Sequence, residues 1–364
     1  MIGGSLAGSA AACALARTGT RVIVLEKARF PRDKVCGCFL SDEAFGVLAR
    51  MGFGDELGKN GAETITHFRL VRRDGTAVES RLPRSVMSVS RSCLDSLAAD
   101  AAERAGAEMR FGATVLAIEG DLSRGFLVRG VDWELRARAV VGAWGRYSPL
   151  DGRLGRAFVR RGTFLFGFGK RLAGHGERFA NRAVLHSLEG GYLGLSRVEG
   201  GGINLAGLVT AAVAKRAHAS LEELLSEAAS ASRALAADLE GLTPVTGPPL
   251  VSEPVVLGRH GALAGDVLCV GDAAGVIDPY TGTGMSLALR FGEAAAAPLA
   301  GFIAKTLDAQ ELRRAHLRLH REIAGRRFLL SRLFRPFFAG GFASRLVSPA
   351  AAPIARWAAR VTRG

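Results

Sequence analysis

Apolar positions recur along this chain with two different periods. Arg21–Leu25 (RVIVL) is a short unbroken apolar run, as expected of a strand buried on both faces of a parallel sheet, and it follows a stretch of small residues that reaches Ala16. Asp42–Met51 reads as a helix. Leu94, Leu97, Ala98, Ala101 and Ala105 fall on one helical stripe, and Arg136–Ala143 (RARAVVGA) reads as a further strand. In HFRLVRRDGTAVESRL the pattern alternates instead, and Asp74-Gly75 between two strand-like runs predicts a hairpin. The segments TFLFGFGKRL, NRAVLHSL, GYLGLSRV and GGINLAGLV alternate or run apolar between Gly-rich turns, which predicts antiparallel strands. Helical spacing returns over Ser220–Leu239 through Leu221, Leu224, Leu225, Ala228 and Leu235, with Glu222 and Glu223 at its positive end. Val267–Val270 is again a short apolar strand, followed by small residues and an alanine-rich helix. Glu311–Phe338 carries Leu312, Leu319, Ile323, Leu330 and Phe334 on one face and arginines on the rest, and Pro336 ends or kinks it.

These elements predict an α/β protein: a parallel-sheet domain, an inserted antiparallel sheet and C-terminal helices. The parallel-sheet domain is discontinuous, over 1–65, 88–150 and 255–305. The inserted sheet takes 66–87 and 151–254, and a basic helical region takes 306–364. The chain has 364 residues, 48% of them apolar, which is enough for a sizeable core. Five cysteines without framework spacing argue against a secreted disulfide scaffold and suit a reducing, cytoplasmic setting.

Charge adds one regional feature. The net charge is +14, and twelve arginines against two glutamates place +10 of it in Glu311–Gly364, leaving +4 for everything before. No nucleic-acid fold signature accompanies the basic excess. It is expected to serve a packed terminal helix, peripheral contact with the inner face of a membrane, or both. No apolar run reaches the roughly 20 residues that span a bilayer. The start, MIGGSLAGSAAACALA, lacks the basic segment of a signal peptide.

The chemistry is densest in VLCVGDAAGVIDPYTGTGMSLAL, Val267–Leu289. A strand ends at Gly271-Asp272; a small-residue turn, Asp278-Pro279, Gly282 and Gly284 then lead into a helix. A carboxylate there can accept from sugar-type hydroxyls, and the glycines let backbone N–H groups approach a flat ring or an anion. An N-capping role for Asp272 would explain one residue of this series and not the rest. At the other end of the chain, Gly3-Gly4-Ser5-Leu6-Ala7-Gly8, a helix, the strand Arg21–Leu25 and Glu26 form turn, helix, strand and acid, the second half of a βαβ nucleotide unit. The pyrophosphate belongs at the helix start near Gly4–Gly8 and the ribose hydroxyls at Glu26. Ser5 stands where a second glycine is usual. Only Met1-Ile2 precede the glycines, where five or six strand residues are expected; this predicts that the natural chain begins upstream or that its start was misassigned.

The GD-A-A-x-x-x-DP-x-x-G-x-G segment resembles that of flavoproteins of the aromatic-hydroxylase and geranylgeranyl-reductase type, the class A flavoprotein monooxygenase superfamily. The resemblance covers most of residues 1–305. It implies a Rossmann-like FAD-binding domain, with FAD contacted at its adenosine end by Gly4, Ser5, Leu6, Ala7, Gly8, Glu26 and Lys27. Gly271, Asp272, Pro279, Gly282, Thr283, Gly284 and Met285 then hold the ribityl chain and ring end. The loop FPRDKVCGCFLS resembles the K-x-C-G segment of the reductases, which runs beside the flavin ring, with Lys34 offsetting pyrophosphate charge. Cys36 is expected to pack near the flavin, with Cys38 incidental; no catalytic residue is assigned, and Cys36 is the alternative candidate for one. The pair Cys36 and Cys38 could also be a redox couple; no second ligand pair at zinc spacing accompanies it, and no metal is expected. Arg91 opens an R-x-x-L-D pattern whose arginine, by the same resemblance, reaches the FAD ribityl–phosphate region, and Val115 would lie beside the adenine. Where the family has A-D-G-x-x-S this chain has Ala143-Trp144-Gly145-Arg146-Tyr147-Ser148. Trp144 replaces the aspartate and could be a core plug. The Y-x-W-x-F-P run of prenyl reductases is absent near Tyr192, as is the W-x-W-x-I-P run of flavin halogenases.

The function implied is an FAD-dependent oxidoreductase. The leading expectation is a monooxygenase hydroxylating an apolar aromatic or polyketide-like substrate. The alternatives are an ene-reductase of isoprenoid C=C bonds and a flavin electron carrier with no substrate of its own. No second dinucleotide fingerprint is present, so NAD(P)H is expected as a transient reductant. The expected partner is a hydrophobic small molecule, with no nucleic acid.

Overall fold

The computed structural model describes residues 1–160, 165–252 and 254–338. One sheet is parallel at its centre. Ile23–Glu26 pairs with Glu108–Phe111 on one side, Val141–Gly142 pairs with Val267–Cys269 on the other, and Leu263–Ala264 closes the edge antiparallel. The gap between the two halves is filled by the first three residues. Ile2 bridges Leu25 and Gly142 in parallel; its N–H donates to Val141 O at 2.9 Å, and Gly3 N–H donates to Leu25 O at 2.8 Å. A stretch this short satisfies backbone groups of both neighbours, so the ladder is continuous.

Helix Leu6–Ala16 lies behind this sheet and is buried at nearly every position. Its alanines, glycine and serine have no bulk to hold neighbours away. Helix Gly284–Ile303 closes on it so tightly that a Cβ on Gly292 would stand 2.1 Å from the Ala7 carbonyl oxygen. Helix Arg91–Arg104, capped by Ser90, packs beside it with Leu94, Ala98, Ala101 and Ala102 inward. A small antiparallel sheet, Ala117–Asp121, Gly125–Arg129 and Glu134–Ala137, sits at one edge. Here the expected strand Arg136–Ala143 divides: Glu134–Ala137 belongs to the small sheet and Val141–Gly142 to the parallel one. Consecutive apolar residues could not show that the two ends pair with different partners.

The second large sheet is mixed. Its order runs Leu242–Pro244, Leu165–Gly174, Ile203–Thr210, Gly191–Arg197, Arg182–Leu188, Glu63–Val71, Ala77–Ser88 and Phe39–Leu40, with Leu250–Val251 also on Leu165–Gly174. All neighbours are antiparallel except Arg182–Leu188 with Glu63–Val71, which is the seam between the early hairpin and the later strands. Thr163 and Phe164, read as the start of one strand, lie outside the described residues. The helix expected over Ser220–Leu239 is broken: Leu221–Ala231 and Arg233–Leu239 meet at Ser232, which is extended (φ −142°, ψ 102°) and whose hydroxyl caps the second helix. The leucine spacing continues across the break because both helices turn apolar faces to one core.

The last described helix is Ala309–Phe338, which extends past Pro336. The arginine-bearing tail with Trp357 lies outside the described residues.

Candidate functional site

Both helices that follow a glycine turn begin without a side-chain cap, unlike those begun at Ser90, Ser148, Thr210, Ser220 and Ser232. Ser5 occupies the N-cap position of Leu6–Ala16, but its hydroxyl is used elsewhere: it donates to both Asp95 oxygens at 3.1 Å and accepts from Arg91 at 2.6 Å. Gly4 N–H donates to Glu26 Oε2 at 2.8 Å, and Glu26 Oε1 accepts from Ala28 N–H at 2.9 Å. The buried Glu26 carboxylate keeps lone pairs for ribose hydroxyls. Leu6, Ala7 and Gly8 are buried; a Cβ on Gly8 would meet the Gly3 carbonyl oxygen at 1.8 Å. Lys27 is exposed, outside this cluster, and Val115 is half-buried against the core.

Asp95, which the sequence reading passed over, is the hub of the cluster. It is fully buried and paired with Arg91 and Arg32, both at 2.9 Å. Burial pushes its carboxyl up, but the charges of Arg91, Lys34 and Arg32 outweigh burial and hold it below the usual carboxylate range. Three cations face one carboxylate, and Arg32 Nη2 is buried without a hydrogen-bond partner. Such a group is costly unless an anion completes it. Burial, then the charges of Arg91 and Arg32, lower Lys34 to about 8. A pyrophosphate here would raise Lys34 again, so binding takes up a proton above about pH 8. FAD affinity should therefore fall by up to tenfold per pH unit above that value. Titration by flavin fluorescence from pH 7 to 10 checks this, and Lys34→Met should flatten the profile.

The ring-end turn closes on the same helix. Gly271 (φ +60°) is a left-handed position whose Cβ would lie 2.8 Å from that of Ala7, so the turn abuts the first helix directly. Asp272 is half-buried in the 3-10 turn Gly271–Ala273, close enough to Arg91 to act on its charge. Pro279 is exposed and opens the turn Pro279–Thr281; Gly282 (φ +65°) lies under the Phe39 ring. Thr283 and Met285 are buried, and Gly284 faces open space at the uncapped helix start. Ser286 Oγ meets Ser41 Oγ at 2.6 Å, tying the helix to the 30–41 loop.

That loop carries Cys36, half-buried, whose sulfur accepts from Cys38 N–H at 3.4 Å. A hydrogen bond from the Cys38 thiol, with the Arg91 charge, overcomes burial and lowers Cys36 to about 6, while the same bond and burial push Cys38 up. Asn204 of the mixed sheet donates to the Cys36 carbonyl at 2.9 Å, and Arg146 to that of Val35 at 3.2 Å. Tyr192 is nearby: burial, with the charge of Asp278, raises its hydroxyl, and Cys36 acts on it too. Leu165, Tyr192 and Leu208 of the sheet pack with Val255, Leu257 and Val276 beside the ring-end turn. Trp144 folds over Gly142 and donates to Asp151 at 3.1 Å; Asp151 is itself buried and paired with Arg156 at 2.7 Å. The tryptophan packs on the main core, as a hydrogen-bonded plug, and a carboxylate stands seven residues further on.

The cluster fits FAD on three counts: uncapped helix starts at both ends, glycines whose Cβ atoms would collide with backbone, and an orphaned buried guanidinium nitrogen among excess cations. Residues 1–168 match an FAD-binding domain family. Menaquinone reductase of Mycobacterium tuberculosis is 30% identical over 352 residues, covering 91% of this chain and 81% of that protein. The flavin-dependent brominase Bmp2 superposes with TM-score 0.80 at 16% identity, covering 99% of this chain and 92% of that one. A probable FAD-dependent monooxygenase of Pseudomonas aeruginosa, pqsL, gives 0.72 at 20% identity, covering 93% and 95%. At these identities the two structures speak for the fold alone. The near full-length relative places the chain in the family of menaquinone reductase, and with the FAD-binding domain match it is an FAD-dependent oxidoreductase.

Proposed function

We propose that this protein reduces a C=C bond in the isoprenoid chain of an apolar, quinone-type substrate. The observation that carries this reading is the similarity to menaquinone reductase along 91% of the chain. Two features of the site support it. An apolar wall built from the mixed sheet and the ring-end turn suits a hydrocarbon chain. Cys36 stands on the neighbouring loop, its backbone carbonyl held by Asn204.

Reduced FAD, when bound, supplies a hydride equivalent to one alkene carbon. Cys36 Sγ is assigned the proton for the other carbon, and the thiolate left behind is stabilised by the Cys38 hydrogen bond and Arg91 before solvent reprotonates it. The apolar wall keeps water from the reacting carbons. NAD(P)H is proposed as the transient electron donor.

Under argon, protein whose FAD has been reduced with dithionite should add two hydrogens to a menaquinone with an unsaturated tail. Cys36→Ala should slow this step by about 100-fold. Because the thiol is the acid, the wild-type rate should fall as pH rises through about 6. A product that forms only with O2 and carries a new oxygen would replace this reading with monooxygenation, the leading expectation from sequence. Adding NADPH in place of dithionite tests the donor.

A further inference from the structure

The helix Ala309–Phe338 has two sides of opposite character. Its inner side is bound to the ring end of the site: Tyr280 Oη donates to the Ser331 carbonyl, Arg327 pairs with Glu43 at 2.6 Å, and a Cβ on Gly275 would meet the Phe328 ring at 2.9 Å. His320 stacks on Phe291 at 5.1 Å, and Arg313 holds Asp266 at 2.6 Å. The ion pairs that this helix makes with described residues come from Arg313 and Arg327.

The outer side carries five exposed arginines, Arg314, Arg318, Arg321, Arg326 and Arg332, against two exposed carboxylates, Glu311 and Glu322. Interleaved with them on the same arc are Leu317, Leu329 and Leu333, 40%, 56% and 58% exposed. A solvated helix face has no need of leucines at these positions, and phosphate-only recognition would leave them in water. A lipid interface accommodates both. The leucines enter the acyl boundary, and the arginine stems lie along it while the guanidinium groups meet anionic headgroups. The arc from Arg314 to Leu333 is about 30 Å long at 1.5 Å per residue.

We propose that the outer face of this helix docks on an anionic phospholipid surface. Since the inner face covers the ring-end turn, docking would hold that turn about one helix diameter, roughly 10 Å, from the headgroups. The proposal rests on the helix and on no choice of reaction, so it is tested by partition and not by turnover.

The FAD-loaded full chain would be sedimented with vesicles of phosphatidylcholine alone or mixed with phosphatidylglycerol. We expect at least about tenfold stronger partition to the mixed vesicles, weakening as salt is raised. Arg318→Gln with Arg321→Gln should cut it by about 25-fold, at about fivefold per arginine. Leu329→Ser with Leu333→Ser should also weaken it, with an unchanged melting temperature showing an intact fold. Arg233→Gln, exposed on the helix Arg233–Leu239 that packs against the mixed-sheet core, should bind as wild type. Equal binding to both vesicle types, or helix variants that bind like wild type, overturns the proposal. So does helix-dependent binding to an acidic protein or RNA without binding to vesicles.

Discussion

Asp95→Asn is expected to destabilise the FAD-free protein by about 3–5 kcal/mol, the range for removing one partner of a buried ion pair. Asparagine keeps the shape and loses the charge. Arg32 and Arg91, only 17% and 12% exposed at their side chains, would then face each other and Lys34 without the carboxylate that pairs with both. The FAD-loaded protein should lose less, because the pyrophosphate supplies negative charge to the same cations. Chemical denaturation of both forms at pH 7 gives the comparison; equal losses would mean that the cations do not meet the cofactor. A pH dependence follows. The folded carboxyl is held below its unfolded value of about 3.9, so its stabilisation is complete above that value and disappears as pH falls through the folded one. The asparagine variant should lack this part of the acid transition.

Gly8→Ala should cost nearly all FAD retention, with affinity lowered by 100-fold or more. The added Cβ would stand 1.8 Å from the Gly3 carbonyl oxygen, a backbone atom that cannot swing aside. Either the helix start or the turn must move, and the two together would form the proposed pyrophosphate seat. Overpacking of this kind costs about 1–3 kcal/mol of stability, so the variant should still fold. The check is the flavin absorbance of the purified protein beside its melting temperature. A yellow Gly8→Ala protein with wild-type affinity would remove this turn from the site.

The candidate cofactor segments were legible in the sequence because their glycine spacing is local, although what each glycine meets is not. Gly271 needs a left-handed backbone beside Ala7, and Gly8 needs to have no side chain beside Gly3; no other residue type meets either need. The Ala143–Ser148 departure was equally plain, but its meaning was not. Trp144 is a hydrogen-bonded core plug because Asp151 is folded back to it, paired with Arg156. Asp95 lay in the quoted arginine pattern and still escaped assignment, since its partners Ser5 and Arg32 are 90 and 63 residues away.

By itself, then, the sequence determined the alternation of parallel and antiparallel segments, the two glycine turns, Glu26 and the arginine-rich helix. These follow from side-chain period, backbone freedom and charge count, all readable within about twenty residues. Tertiary structure alone decided that Ile2 joins the two halves of the parallel sheet, that Ser232 divides one leucine pattern into two helices, and that Asp95 gathers three cations. It also decided that the last helix turns its arginines and leucines outward over the ring end. Each of these depends on which distant backbone group or charge fills a space, and local pattern carries no record of that.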